Sequence, residues 1–100
     1  AIVGGILPIA VGVAMTGQTV WCFVGDMAAS TGIFNECYRY ALGHRLPIRF
    51  VIEDNGKSVN TPTRHVWGGQ SLMIEYPSAQ YYSYKLTWPH QGSGKWLTIF

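Results

Sequence analysis

TVWCFVGDMAASTGIFNECYRYALGHRLPIRFVIEDNG, residues 19–56, is the stretch that decides the fold. It opens with a continuous β-branched and aromatic run, Thr19–Val24, and a second apolar run follows at Ile48–Ile52. Between these runs, apolar residues recur at three- and four-residue steps from Ile33 to His44, which predicts an amphipathic helix. Strand, helix and strand in this order predict a βαβ unit with two parallel strands.

The flanking residues agree with these boundaries. Ser30 or Thr31 can cap the start of the helix, and Pro47 marks its end. Apart from Arg49, both strands are apolar without alternation, a pattern typical of strands covered on both faces of a parallel sheet. The predicted fold class is therefore α/β, with a parallel sheet flanked by helices.

Upstream, Ile6–Met15 predicts a helix that is hydrophobic all round and hence buried, with Pro8 tolerated in its first turn. Residues 1–25 carry no charge, so a membrane span has to be considered. The polar break at residues 16–19 leaves neither part with the roughly 20 apolar residues that a spanning helix needs. We therefore expect no membrane insertion.

Downstream of the second strand the pattern is weaker. Glycines, Asn60 and Pro62 predict a long loop, followed by a short helix at Ser71–Glu75. Alternating aromatic and polar residues predict a strand at Tyr81–Trp88, and a turn at residues 90–94 leads to a last strand, Lys95–Phe100.

The composition limits the size and the partners of the protein. With 100 residues, 48% of them hydrophobic, the chain fits one domain, and we expect residues 1–63 to form its motif-bearing core and residues 64–100 its loop and C-terminal strands. The abrupt apolar start at Ala1 suggests truncation.

A net charge of +2 without a basic run argues against nucleic-acid binding. Cys22 and Cys37 lack a CxxC partner, which favours a reducing compartment, the cytoplasm or an organelle matrix.

Polar residues follow both strands of the βαβ unit at the point where each strand ends. Gly25-Asp26 follows the first strand, and Asp54-Asn55 follows the second. Ligands of open parallel sheets bind beyond the carboxyl ends of the strands, so Asp26 and Asn55 should lie near each other. A carboxylate and a carboxamide oxygen form a hard-oxygen site of the kind that magnesium prefers when it bridges a diphosphate.

In its ends and spacing, this stretch resembles the motif of thiamine-diphosphate enzymes, which opens Gly-Asp-Gly and closes Asn-Asn. Residues 31–38, Leu46-Pro47 and residues 50–53 are similar to the matching stretch in the alpha subunit of the decarboxylating component of 2-oxo-acid dehydrogenases, such as pyruvate dehydrogenase. Ile2–Gly5 and Pro8–Ala14 resemble the segment that precedes the motif in that subunit. The likeness covers residues 1 to 63.

The resemblance implies a diphosphate-binding module of the thiamine-diphosphate fold, with thiamine diphosphate and Mg²⁺ as cofactors. The metal ligands that it implies are the side chains of Asp26 and Asn55 and the backbone carbonyl of Lys57. Backbone groups of Gly25, Met27 and Ala28 would contact the diphosphate, and Val3 the aminopyrimidine. Its further implications are a pyrimidine-binding partner domain or beta subunit, a homo- or hetero-oligomer, and no activity without that partner.

Two residues depart from the family pattern. Met27 stands where the family has its second glycine, and a side chain there could crowd the approach of backbone to phosphate. Asp54 replaces the first asparagine, and this change is tolerated if its side chain stays outside the metal shell. Neither departure removes a ligand.

Other functional assignments stay open. Arg64 and His65 follow the motif on a loop and are candidates for contact with substrate. His90 faintly resembles a histidine loop of the dehydrogenase subunits, but a turn histidine is favoured. The aromatic stripe at residues 81–88 favours sheet packing or a subunit interface.

The motif alone does not determine which reaction, if any, the protein catalyses. The alternatives are a transketolase-like or carboligating thiamine-diphosphate enzyme, and a non-catalytic α/β ligand-binding module, including a generic nucleotide-binding domain.

Overall fold

A parallel sheet forms the centre of the molecule in the computed structural model, which describes residues 2–70 and 76–88. The elements in chain order are α1 (Ile6–Met15), β1 (Val20–Gly25), α2 (Asp26–Ala29), α3 (Gly32–Gly43), β2 (Ile48–Asp54), β3 (Lys57–Ser58), β4 (Thr61–Pro62), α4 (Thr63–Val66) and β5 (Gln80–Ser83). The sheet has the order β1-β2-β5, and both pairings are parallel. The predicted βαβ unit and the α/β class are therefore confirmed, with the register running from Val20↔Ile48 to Gly25↔Glu53.

The core lies between one face of the sheet and the helices α1 and α3. Alternate residues of β1, Cys22 and Val24, point into it and are almost completely buried. Phe34 of α3 is fully buried and packs edge-to-face on Phe50 of β2, with ring centroids 5.4 Å apart. The remaining members of this core are Leu7, Ala10, Val11, Ala29, Cys37, Tyr38, Ala41 and Ile52.

Strand β2 is covered on both faces as predicted, because Phe50, Val51 and Ile52 follow one another and are all buried. In β1 the prediction is wrong, because the described residues leave its second face uncovered. Trp21 and Phe23 of β1 are 51% and 55% exposed. The Arg49 guanidinium lies over the Trp21 ring at 5.6 Å. The apolar run of β1 thus consists of one buried face and one aromatic face that none of the described helices covers.

Helix α1 has the predicted bounds, but it is not buried on all sides. Leu7, Ala10, Val11 and Ala14 face the core, whereas Ile9 and Met15 are 62% and 59% exposed. No helix within the described residues is both long and apolar enough to cross a bilayer. The uniform hydrophobicity of α1 therefore predicted its helical structure but not its burial.

The chain at the start of α1 passes very close to α3. Gly4 has a φ of +80°, a conformation that favours glycine, and a Cβ at this position would lie 2.9 Å from Cγ2 of Ile33. This contact joins the N-terminal segment to the beginning of α3 and brings Val3 to the same end of the sheet as Asp26.

The segment after β2 is more ordered than the long loop that the sequence predicts. A short antiparallel hairpin, β3 and β4, pairs Lys57 with Pro62 and Ser58 with Thr61, and α4 follows at once. Strand β5 is shorter than the predicted strand Tyr81–Trp88. The predicted helix Ser71–Glu75 and the predicted turn and strand of residues 90–100 lie outside the described residues.

Candidate functional site

A cleft of about 320 Å³ opens beyond the carboxyl ends of β1 and β2. Every residue that the sequence assigns to the cofactor or the metal lines this cleft: Val3, Gly25, Asp26, Met27, Ala28, Asn55 and Lys57. These residues come from three separate segments of the chain, the N-terminal loop, the β1–α2 junction and the loop after β2. The fold thus brings them together at the sheet edge where parallel α/β proteins bind ligands.

Asp26 is the most deeply buried polar residue of the cleft. It is the first residue of α2 and only 2% of it is exposed. The Thr63 hydroxyl donates a hydrogen bond to Oδ2, whereas Oδ1 has no hydrogen-bond donor among the described residues. Burying a carboxylate is costly unless it is paired or coordinates a cation, so this oxygen is suited to a metal ligand.

Gly25 immediately precedes Asp26 and has an ordinary extended backbone, with φ −75° and ψ 169°. A Cβ built on Gly25 would meet no atom within 4 Å. Neither backbone conformation nor packing within the described chain therefore requires glycine here. The residue does face the cleft, where the missing side chain leaves room for a ligand to approach the backbone.

The short helix α2 forms one wall of the cleft with Met27 and Ala28. The Ser30 hydroxyl donates to the Met27 carbonyl at 2.8 Å, and the Thr31 hydroxyl donates to the Ala28 carbonyl at 2.6 Å. Thr31 occupies the N-cap position of α3, one of the two positions predicted for the cap, but its side chain makes no capping hydrogen bond there. Both hydroxyls instead satisfy carbonyls of α2, which holds this wall in place.

Three tyrosines of the β5 region bind the three polar residues at the end of β2. Tyr82 donates to Glu53 and Tyr81 to Asp54, each at 2.6 Å, while the Asn55 amide nitrogen donates to the Tyr84 hydroxyl at 3.2 Å. The backbone N–H of Tyr84 also donates to the Asp54 carbonyl. These bonds fix the orientation of side chains at the end of β2.

The amide nitrogen and the amide oxygen of the Asn55 side chain bond to different partners. Its Oδ1 accepts the backbone N–H of Lys57 at 2.9 Å and retains a second lone pair, which a metal could use. Asp54 lies outside the cleft lining, and its carboxylate accepts from the Gly56 N–H and the Tyr81 hydroxyl. The Asp54 side chain thus bonds to the loop after β2 and to β5 rather than lining the cleft.

The Lys57 carbonyl, the third ligand that the resemblance implies, belongs to a residue of β3 opposite Pro62. The neighbouring pair is hydrogen-bonded, with the Thr63 N–H donating to the Gly56 carbonyl, so Lys57 and Pro62 form a non-hydrogen-bonded pair whose carbonyls point away from the partner strand. The hairpin therefore leaves the Lys57 oxygen without a donor from its ladder partner.

Arg64 and His65 do not line the cleft. Both are exposed on α4, and Arg64 Nη2 donates to the Gly69 carbonyl at 3.4 Å. Helix α4 is tied to the cleft on both sides of these residues, by Thr63 to Asp26 and by the Trp67 indole N–H to the Ser30 hydroxyl at 3.0 Å. Their contact with substrate stays a prediction.

Thr63 and Tyr84 are site residues that the sequence interpretation missed. Thr63 reaches Asp26 across 37 positions of sequence, and this approach depends on a hairpin that no pattern predicted. Tyr84 did belong to the aromatic stripe, but its position in the cleft depends on the parallel pairing of β5 with β2.

Comparison with known proteins adds no further information on function, because no protein-family model and no curated protein matches this chain.

Proposed function

We propose that this chain binds thiamine diphosphate through Mg²⁺, as the diphosphate-binding module of a 2-oxo-acid decarboxylating dehydrogenase component with the thiamine-diphosphate fold. The observation that carries the proposal is the cleft. Residues chosen from the sequence as cofactor and metal contacts, in three separate segments, all line one cavity. Arg64 and His65, which were candidates for substrate contact rather than cofactor contact, lie outside it.

The donor set of the cleft fits magnesium. Mg²⁺ takes about six oxygen ligands in a nearly octahedral arrangement and usually draws several of them from phosphates and water. Asp26 Oδ1, Asn55 Oδ1 and the Lys57 carbonyl are hard oxygen donors, and the first of these belongs to a buried carboxylate. Two phosphate oxygens and a water molecule would complete the shell.

The cleft also fits a diphosphate. The Cβ position of Gly25 is empty, so phosphate oxygens could approach the backbone of the β1–α2 junction closely. Met27, the departure from the family pattern, is half-buried, and its sulfur lies 3.7 Å from the Ser30 hydroxyl. Val3, Phe23 and Val59 supply an apolar wall on which an organic ring could pack.

In this proposal the chain positions the cofactor, and the cofactor carries the reaction. Bound thiamine diphosphate would supply a nucleophilic carbon and an electron sink for decarboxylation of a 2-oxo acid. Asp26, Asn55 and Lys57 hold the metal, and the α2 wall holds the diphosphate. The glutamate that activates the aminopyrimidine in the family would come from a pyrimidine-binding domain or a beta subunit.

Calorimetry on ligand-site variants tests the proposal. Asp26→Asn and Asn55→Ala should each weaken Mg²⁺-dependent binding of thiamine diphosphate at least tenfold, about 1.4 kcal/mol, because the first removes the negative charge of a ligand and the second removes a ligand oxygen. Glu36→Gln and Asn35→Ala are matched controls, since both side chains are exposed on α3 and outside the cleft. Unchanged affinity in both site variants would rule out the proposed site.

A further inference from the structure

Thr63 is a buried polar residue next to the proposed metal ligand. Only 4% of it is exposed, and its hydroxyl donates to Oδ2 of Asp26. Its backbone N–H donates to the Gly56 carbonyl at 3.0 Å, which anchors it at the junction of β4 and α4. The Thr63 side chain is therefore fixed by the hairpin rather than free to follow the carboxylate.

Because of this hydrogen bond, the two carboxylate oxygens of Asp26 differ in their hydrogen bonding. Oδ2 is engaged by the Thr63 hydroxyl, and Oδ1 has no donor among the described residues. An ionised carboxylate only accepts hydrogen bonds, so the hydroxyl must be the donor. A metal in the cleft would meet one free oxygen of this carboxylate.

The number of carboxylate oxygens offered to a metal affects which metal is preferred. Mg²⁺ is small and requires nearly ideal octahedral geometry, whereas Ca²⁺ accepts six to eight oxygens and often binds a carboxylate through both of them. A carboxylate that is restrained to one oxygen favours Mg²⁺. A carboxylate that is free to rotate permits bidentate binding and so favours Ca²⁺.

We infer that Thr63 is a positioning residue that makes Asp26 a one-oxygen ligand and thereby sets the preference of the site for Mg²⁺ over Ca²⁺. The inference rests on the proposed function, because it requires a divalent metal in the cleft. It adds a residue and a metal selectivity that the sequence motif does not contain.

Thr63→Val tests the inference, since valine keeps the shape of threonine and removes the donor. With saturating thiamine diphosphate, Mg²⁺ and Ca²⁺ are titrated separately into the wild-type chain and the variant, and both dissociation constants are measured by calorimetry. Mg²⁺ binding should weaken at least about fivefold and Ca²⁺ binding less than about twofold, a change in the Mg²⁺ to Ca²⁺ ratio of at least about 2.5-fold, or about 0.5 kcal/mol. Thr63→Ser, which restores the hydroxyl, should return the Mg²⁺ to Ca²⁺ ratio to the wild-type value.

The ratio of the Mg²⁺ and Ca²⁺ dissociation constants distinguishes a positioning role of Thr63 from a purely structural one. Equal weakening for both metals, or no weakening for either, would overturn the inference, because general damage to the cleft does not discriminate between the two ions. If Thr63→Val does not fold, as judged by circular dichroism, Thr63→Cys provides a weaker donor of similar size, and its ratio should shift in the same direction. Absence of metal-dependent binding in the wild-type chain would instead refute the proposed function itself.

Discussion

At the scale of single residues, Gly25 is a position where the fold does not require glycine but the proposed ligand does. Its backbone angles suit any residue, and a Cβ would project into open space. We therefore predict that Gly25→Ala leaves the melting temperature unchanged or slightly raised, since alanine lowers the entropy of the unfolded chain. The same change should weaken binding of thiamine diphosphate with Mg²⁺ at least about fivefold, or about 1 kcal/mol, as measured by calorimetry.

Gly12 provides the matched control for this prediction. It lies inside α1, away from the cleft, and a Cβ there would also meet nothing. Gly12→Ala should stabilise the helix by about 0.5–1 kcal/mol and leave ligand affinity unchanged. Equal affinity of Gly25→Ala and wild type would mean that no ligand approaches the backbone at this position.

The sequence predicted some residues of the site and not others, for a physical reason. Asp26 and Asn55 follow strands that are adjacent in a βαβ unit, and parallel strands end at one edge, so their proximity follows from local patterns. Thr63 reaches the site through a hairpin whose turn residues, Val59 and Asn60, give no common turn pattern. Contacts made in this way become visible only in three dimensions.

At the scale of elements, β5 is attached to β2 by tyrosine hydroxyls as well as by the backbone. Tyr81 is 46% exposed, and its hydroxyl donates to Asp54. This hydrogen bond, together with partial desolvation and the nearby negative charges of Asp54 and Asp26, raises the pKa of Tyr81 to about 12. The phenol thus holds its proton more tightly in the folded chain than in the unfolded one.

The stability of the chain should therefore depend on pH, and the raised pKa of Tyr81 determines the direction of this dependence. The Tyr81 contribution to stability is complete below pH 10, the ordinary pKa of tyrosine, and is lost as the pH rises towards 12. Tyr81→Phe should therefore destabilise the chain by about 0.5–1 kcal/mol at pH 8, and the difference from wild type should shrink between pH 10 and 12. Urea denaturation at each pH measures it, and a difference that is constant with pH would contradict the assigned hydrogen bond.

The elements themselves were predicted to different extents. Helix α1 and the βαβ unit have long periodic or continuous apolar patterns, and they lie within a residue or two of their predicted bounds. The hairpin and α4 were missed because they are too short to carry a period. Burial was overestimated for α1 and β1, since an apolar pattern shows which residues avoid water but not whether this chain alone covers them.

At the scale of the whole molecule, the part of the chain that the structure describes has two exposed apolar surfaces. One is the aromatic face of β1 with Trp21 and Phe23, and the other is the outward side of α1 with Ile9 and Met15. Such surfaces are typical of proteins that pack against further protein. In our proposal, an additional domain or subunit would cover these surfaces.

In our proposal the catalytic groups are divided between this chain and a partner domain, so we predict that the isolated chain does not turn over substrate. It would hold the metal and the diphosphate, but the activating glutamate would reside elsewhere. Incubation with thiamine diphosphate, Mg²⁺ and pyruvate should release no carbon dioxide above the rate of the free cofactor. Steady release that depends on the chain would contradict this assignment.

The most direct test of the account is a thermal-shift measurement on the wild-type chain with thiamine diphosphate and Mg²⁺ together, each alone, and both with a chelator. A ligand at about 100 times its dissociation constant stabilises the folded state by about 2.7 kcal/mol. For a domain of this size, such a gain should raise the melting temperature by about 10 °C or more. We predict that rise only when cofactor and metal are both present, and an identical melting temperature in all four conditions would contradict the account.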